Sequence, residues 1–415
     1  MIIITFIFEL LGLIIKTGLF ILINPLFWLV LILIYQQFKK IVKKEEIVYG
    51  IKETRGSIIK RLLFAFGYGL LGGLLGSFIF VILGVTLSDI GIGFLWLVAI
   101  LLLLFDIRFI CFAYAGSIVS LSSLLLGWPR VNVPAILILV AVMHLVESIL
   151  IYTNGADRPL PMTLVHKKYG TAGCYLLQKL WPIPFVAMVA LSVAESEITA
   201  GVIDMPAWWP LIETLVEAGP RETLLYILLP VVAGLGYGDL AVANRPQVRA
   251  RLTARNLFVY SGLLLILVII SLYYPLILPL AALFSSLGHE LVIKKALHCE
   301  QSKPPRYLPP EKGLLVMEVY PEYPAAKAGL TRGDIVHFVD GIMIGSVAEF
   351  NSLVSQKNRV ELILETGEKK ILENDEIVPG IAFLKKEANQ DLSLVKHRNG
   401  ILKKLIKKIS NVIKS

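Results

Sequence analysis

The apolar residues of this chain fall in long blocks that stop near residue 288, and the remainder is charged and punctuated like an ordinary soluble domain. A membrane-spanning helix needs ~20 mostly apolar residues. The stretches that qualify or nearly qualify are Thr17 to Gln37, Leu62 to Leu83, Gly91 to Phe105, Phe109 to Leu126, Val133 to Tyr152, Leu180 to Val193, Glu222 to Leu240, Asn256 to Ser271 and Leu272 to Leu287. The last two are short and meet near Tyr274 and Pro275. With 56% hydrophobic and 17% charged residues, the composition is far from the roughly 25% charged usage of soluble domains. The pattern predicts an α-helical polytopic membrane domain over residues 1–288, a linker over 289–308, a small mixed α/β domain over 309–385 and a basic tail over 386–415. The opening Met1 to Ile15 is apolar but lacks a basic n-region and a small-residue cleavage site, so it is expected to stay attached.

The net charge of +9 comes mostly from Lys and Arg beside the apolar blocks, where they orient spans and meet anionic lipid rather than nucleic acid. Basic loops belong in the cytoplasm. Lys39, Lys40, Lys43, Lys44, Lys52, Arg55, Lys60 and Arg61 fill one such loop, Arg158, Lys167, Lys168 and Lys179 a second, and Arg245, Arg249, Arg251 and Arg255 a third. Glu195 to Pro220 is acidic with no Lys or Arg, which suits an outside loop with Trp208 and Trp209 at the interface. Two further crossings then place the C-terminal module in the cytoplasm. Gly67, Gly69, Gly72, Gly73 and Gly76 sit in one span at a spacing that lets neighbouring helices approach closely.

Beyond the Pro-rich stretch from Lys303 to Pro310, the chain alternates like strands. Gly313 to Val319 has β character, Ala325 to Leu330 is a helical turn, and Arg332 to Val339 is a strand followed by an Asp340-Gly341 hairpin signal. Ser346 to Glu349 matches a capping box that opens a helix with Phe350, Leu353 and Val354 on its apolar face. Gly-Leu-Leu-Val at 313–316, Pro-Ala-Ala-Lys-Ala-Gly-Leu at 324–330, Gly-Asp-Ile-Val at 333–336 and Asp-Gly at 340–341 together resemble a bacterial PDZ domain. PDZ domains bind by β-augmentation, in which an extended peptide pairs with an exposed strand edge. The resemblance implies that Gly313, Leu314 and Leu315 offer backbone N–H groups to a peptide's terminal carboxylate, while Val316, Phe350, Leu353 and Val354 line the pocket.

Membrane-embedded PDZ proteins include site-2 metalloproteases, so the chain has to be read for zinc ligands. His289-Glu290 begins like a zinc-protease helix, but the position four residues after His289 is Ile293. His144 and Glu147 stand one turn apart inside a span, with no second such pair in the sequence. Cys111, Cys174 and Cys299 are widely spaced and form no paired metal-ligand spacing. No Gly-x-Ser-x-Gly elbow or Walker A pattern is present. The expectation is therefore no catalytic residue, no metal and no cofactor.

From Gly400 onward Ile401, Leu402, Leu405, Ile406, Ile409, Val412 and Ile413 recur at helical spacing, with Lys403, Lys404, Lys407 and Lys408 on the other face. That pattern describes a basic amphipathic helix on anionic lipid. Two internal stretches, Met143 to Leu150 and Gln178 to Phe185, combine with the polytopic half and the PDZ-like module to resemble the MinJ-type topological determinants of cell division in rod-shaped Gram-positive bacteria. The resemblance implies a non-enzymatic membrane adaptor linking DivIVA to MinD, with MinC acting through it, at the pole or septum. Two other readings stay open at this point: a proteolysis regulator or degenerate membrane protease, and a transporter with a regulatory PDZ module.

Overall fold

The computed structural model describes residues 2–51, 55–194, 196, 203, 205–321, 323–355, 357–373 and 378–385. In chain order the first half holds helices α1 (Ile2–Leu19), α2 (Pro25–Tyr49), α3 (Arg55–Leu83), α4 (Leu87–Ile90), α5 (Ile92–Leu103), α6 (Phe112–Leu126) and α7 (Val133–Asn154). Next come three strands, β1 (Leu160–His166), β2 (Gly170–Ala194) and β3 (Glu222–Ala241), and then helices α8 (Pro246–Tyr273) and α9 (Leu278–Ser302). Six helical segments of the described chain are long and apolar enough to cross a membrane: Phe6–Ile23, Pro25–Tyr49, Arg55–Leu83, Val133–Asn154, Pro246–Tyr273 and Pro275–Ser302. These helices, with a β-sheet module after them, fit a membrane protein of the fold class expected from sequence.

Local chemistry sets the helix ends. Asn24 caps α2 by accepting from the Leu26 N–H at 2.9 Å, Pro25 takes the first position, and Gly50 closes the helix with φ +70°. Asn132 caps α7 in the same way, accepting from the Ala135 N–H at 3.1 Å. The break expected at Tyr274 and Pro275 separates α8 from α9, and the two helices pack as a hairpin tied by the Tyr260 hydroxyl, which donates to the Ser285 carbonyl at 2.6 Å. Helix α9 then continues to Ser302, through most of the segment expected to be a linker.

Two of the candidate spans are not helices. Leu180 to Val193 belongs to β2 and Glu222 to Leu240 to β3, and the two pair antiparallel from Tyr175–Ala241 to Ala194–Glu222. The reason lies in the residues: Pro182 and Pro184 each lack the N–H that a helix interior needs, and Pro230, Gly234, Gly236 and Gly238 weaken the helical alternative in β3. Past Leu176, where β1 ends its pairing, one edge of β2 has no strand beside it among the described residues. That edge lies against α3. Pro182 and Pro184 have no N–H to satisfy, and the next N–H on that side, from Val186, donates to the Ser77 hydroxyl of α3 at 2.7 Å.

The glycines of α3 serve two neighbours. A Cβ at Gly69 or Gly73 would lie 1.9 Å from the carbonyl oxygen of Pro182 or Pro184, so these two positions admit the β2 backbone rather than a helix. Gly72 and Gly76 face Val146 of α7, the most deeply buried helix, while nothing lies within 4 Å of a Cβ at Gly67. At the far end, the acidic segment packs under α3 and α7: the Asn132 side chain donates to the Glu213 carbonyl at 2.8 Å, and Trp209 Nε1 donates to the Val81 carbonyl at 2.8 Å.

Gly69→Ala and Gly73→Ala are each expected to destabilise the helical domain by about 1–3 kcal/mol, because the backbone of β2 cannot give way to a methyl group. Gly67→Ala is the control, expected to be neutral or slightly stabilising. Thermal unfolding of the three variants in detergent checks this, and equal midpoints would show that the α3–β2 contact is not close-packed.

Candidate peptide-binding site

The C-terminal module begins with β4 (Leu314–Val319) and continues through α10 (Pro324–Lys327), β5 (Ile335–Val339), β6 (Ile342–Met343), α11 (Val347–Val354), β7 (Arg359–Leu364), β8 (Lys369–Glu373) and β9 (Ile381–Phe383). The hairpin after β5 turns at Asp340 and Gly341 with φ +47° and +76°, as the Asp-Gly signal predicts. The capping box is formed: the Glu349 N–H donates to Ser346 Oγ at 3.2 Å, and the Glu349 carboxylate accepts from the Ser346 N–H at 3.3 Å. Phe350 and Val354 point from α11 into a core with Leu314, Val316, Val336 and Leu362.

Strand order leaves no free edge on the sequence-predicted strand. The sheet runs β8-β7-β5-β4-β9, so β4 has a strand on each side. The Val316 N–H donates to the Asp334 carbonyl at 2.8 Å, and the Leu315 carbonyl accepts from the Leu384 N–H at 2.9 Å. Leu314, Leu315 and Val316 are buried, and a Cβ at Gly313 would stand 2.6 Å from the Val336 carbonyl oxygen. Gly313 to Val316 is therefore an interior strand and not a free edge, which corrects its assignment as the carboxylate-holding segment. Of the residues assigned to the pocket, Phe350 and Val354 are core, and Leu353 is half-buried at the rim of α11.

The outer strand on this side is β9. It is entered at Gly380 with φ +73°, and its Phe383 ring lies 4.8 Å from Phe350 of α11, edge to face. The strand edge and the capped helix thus stand side by side at β9 and α11. Sequence reasoning passed over Gly380-Ile381-Ala382-Phe383, although a glycine followed by alternating apolar residues was the available signal. The Lys403, Lys404, Lys407 and Lys408 cluster lies outside the described residues.

Alternate residues of β4 and β9 face the helical domain. Leu315, Met317 and Leu384 pack with Tyr175 and Ala241, and Ala382 packs with Tyr49 and Ile51 at the end of α2. The Tyr175 hydroxyl donates to the Met317 carbonyl, and Arg332 stacks over the Tyr175 ring at 4.8 Å while pairing with Glu318. Burial pushes the Glu318 carboxyl up from its ordinary range, and the Arg332 guanidinium pulls it back. The Pro-rich connection joins in, with the Gly173 N–H donating to the Tyr307 carbonyl at 2.8 Å and the Arg306 N–H to the Val242 carbonyl at 2.9 Å. Arg61 holds Glu45 through both carboxylate oxygens, at 3.0 and 2.6 Å, and reaches the Tyr320 hydroxyl at 3.3 Å.

A family model described as a PDZ domain matches residues 315–366. The chain is also similar to the cell division topological determinant MinJ of Bacillus subtilis (strain 168), at 25% identity over 369 residues that cover 84% of this chain and 87% of that protein. No solved structure matches it.

Tyr175→Phe strands the buried Met317 carbonyl, at a cost of about 1–3 kcal/mol to docking. Hydrogen exchange at the Gly173 and Arg306 amides, which bridge module and helices, is expected to quicken while the amides of β7 keep their protection. Unchanged exchange at both positions would show that this hydroxyl does not hold the module down.

Proposed function

We propose that this chain is a MinJ-type protein, a non-enzymatic membrane scaffold that positions regulators of cell division. Its apolar helices anchor a PDZ module over residues 309–385 on the cytoplasmic side, and the module captures an extended peptide from a division protein. The observation that supports this reading most directly is the strand edge at β9 beside the capped helix α11, on a module fixed to the helical domain through its opposite face. A peptide added along β9 would gain main-chain hydrogen bonds from the strand and side-chain slots beside Val347, Leu353 and Phe383. By the family resemblance, the proteins joined are DivIVA and MinD, at pole or septum. Confining both contacts to one surface raises their effective concentration without any new interface.

The cytoplasmic side is supported by the basic residues around Arg55, Arg61, Lys167, Lys168 and Arg255, which lie in segments flanking the module's end of the helices, and by the acidic segment at the opposite end. A green fluorescent protein fused after Ser415 is expected to fluoresce and to concentrate at septa and poles. A uniform membrane signal would remove the scaffold reading. Leu353→Asp is expected to weaken binding of partner-derived peptides about tenfold or more with the module still folded, since a charge at the slot has no partner. Equal affinity would place the groove elsewhere.

The tail from Gly400 to Ser415 is proposed to lie on anionic lipid. Each lysine near such a surface contributes about 1 kcal/mol. A synthetic peptide of these residues should become helical on anionic vesicles and not on zwitterionic ones, with the effect fading as salt rises. Disorder on both would assign the tail to a protein partner.

A further inference from the structure

Residues that are remote in sequence meet between α6, α7 and α9. Cys111 stands just before α6, His144 in the middle of α7 and His289 in α9, and one donor atom from each lies within 4.8 Å of the other two. Cys111 Sγ is 3.2 Å from His144 Nε2 and 3.8 Å from His289 Nε2. Tetrahedral bonds of about 2.3 Å to sulfur and 2.1 Å to nitrogen set their donors about 3.6 Å apart, between those two distances.

The surroundings fit a ligand set. His144 Nδ1 lies 2.7 Å from the Val140 carbonyl, an arrangement that puts the proton on Nδ1 and turns the Nε2 lone pair toward Cys111. His289 Nδ1 is buried with no hydrogen-bond partner among the described residues, so no protein acceptor fixes this ring, and its Nε2 faces Cys111. Tyr114 and Tyr260 wall the cluster, their rings edge-on to His289 at 5.3 and 5.7 Å. The neighbouring Glu290 is turned away to other partners: it accepts from the Tyr114 hydroxyl at 2.8 Å and pairs with Arg108 at 3.3 Å and Lys294 at 3.7 Å.

We propose that Cys111, His144 and His289 bind one divalent ion of the zinc class, with a fourth position left to water. Two imidazoles and a thiolate select borderline and soft ions over magnesium or calcium. Binding would release the Cys111 proton and pin three helices at one point, a property beyond the scaffold reading.

The test uses the full chain in detergent, free of any histidine tag, titrated with cobalt(II). About one ion per chain is expected, with an intense tetrahedral visible spectrum and a near-ultraviolet sulfur-to-cobalt band. Cys111→Ser should remove that band, and His144→Asn or His289→Gln should weaken binding about tenfold or more. Cys299→Ser and His166→Asn should leave the spectrum unchanged. Circular dichroism checks that each variant is folded. Folded wild-type protein that takes up no stoichiometric cobalt, or a sulfur band that survives Cys111→Ser, would overturn the site and leave a plain Cys–His contact.

Discussion

A strand set among apolar helices has two edges of backbone polar groups to satisfy, and among the described residues strand β2, past Leu176, has a strand beside only one of them. On the open edge, Pro182 and Pro184 bring no N–H, and Ser77 takes the one that Val186 presents. The same helix presents Gly69 and Gly73 where the carbonyls of those prolines approach. Sheet and helix are therefore mutually dependent: without the glycines β2 could not come close enough for Ser77 to reach it, and without Ser77 an amide would be buried unpaired. The long hairpin of β2 and β3 rests on this contact, and the hairpin carries one consequence to each end of the molecule.

At one end it meets the acidic segment, tied to α3 and α7 through Asn132 and Trp209. At the other it becomes the floor for the PDZ module, where Tyr175 of β2 reaches the Met317 carbonyl and supports Arg332. A module hung on a flexible linker would sample many orientations. Here the connection itself is bonded at Arg306 and Tyr307, and one face of the β4–β9 pair is committed to docking. The pairing of β4 on both sides and the docking of its outer face leave β9 and α11 as the surface on which peptide recognition is proposed.

Much of the module was legible. The hairpin at Asp340 and the capping box at Ser346 come from local turn chemistry, whereas Val316, Phe350 and Val354, assigned to the pocket, are buried in the core. The free edge was not legible, because strand order depends on where the chain returns, and β9 returns from beyond the matched motifs to cover β4. Likewise His144 and His289 each looked incomplete, since spacing tests see ligands within one helix and not those that packing brings together across three.

Period, caps and proline suffice to establish that apolar helices precede a PDZ module, that α7 starts at Val133, and that Tyr274 and Pro275 break the final hairpin, whereas the spans begun at Thr17 and Asn256 missed the starts of α2 at Pro25 and α8 at Pro246. The residues also held the warning that Pro182, Pro184 and Pro230 forbid two helices, a signal outweighed by apolar length. It took the packed chain to turn those segments into strands, to set Gly69 against a strand and Gly72 against a helix, and to leave one edge of the module open among the described residues. Each of these depends on what lies across a contact, and apolar residues alike in hydropathy carry no label for their partners.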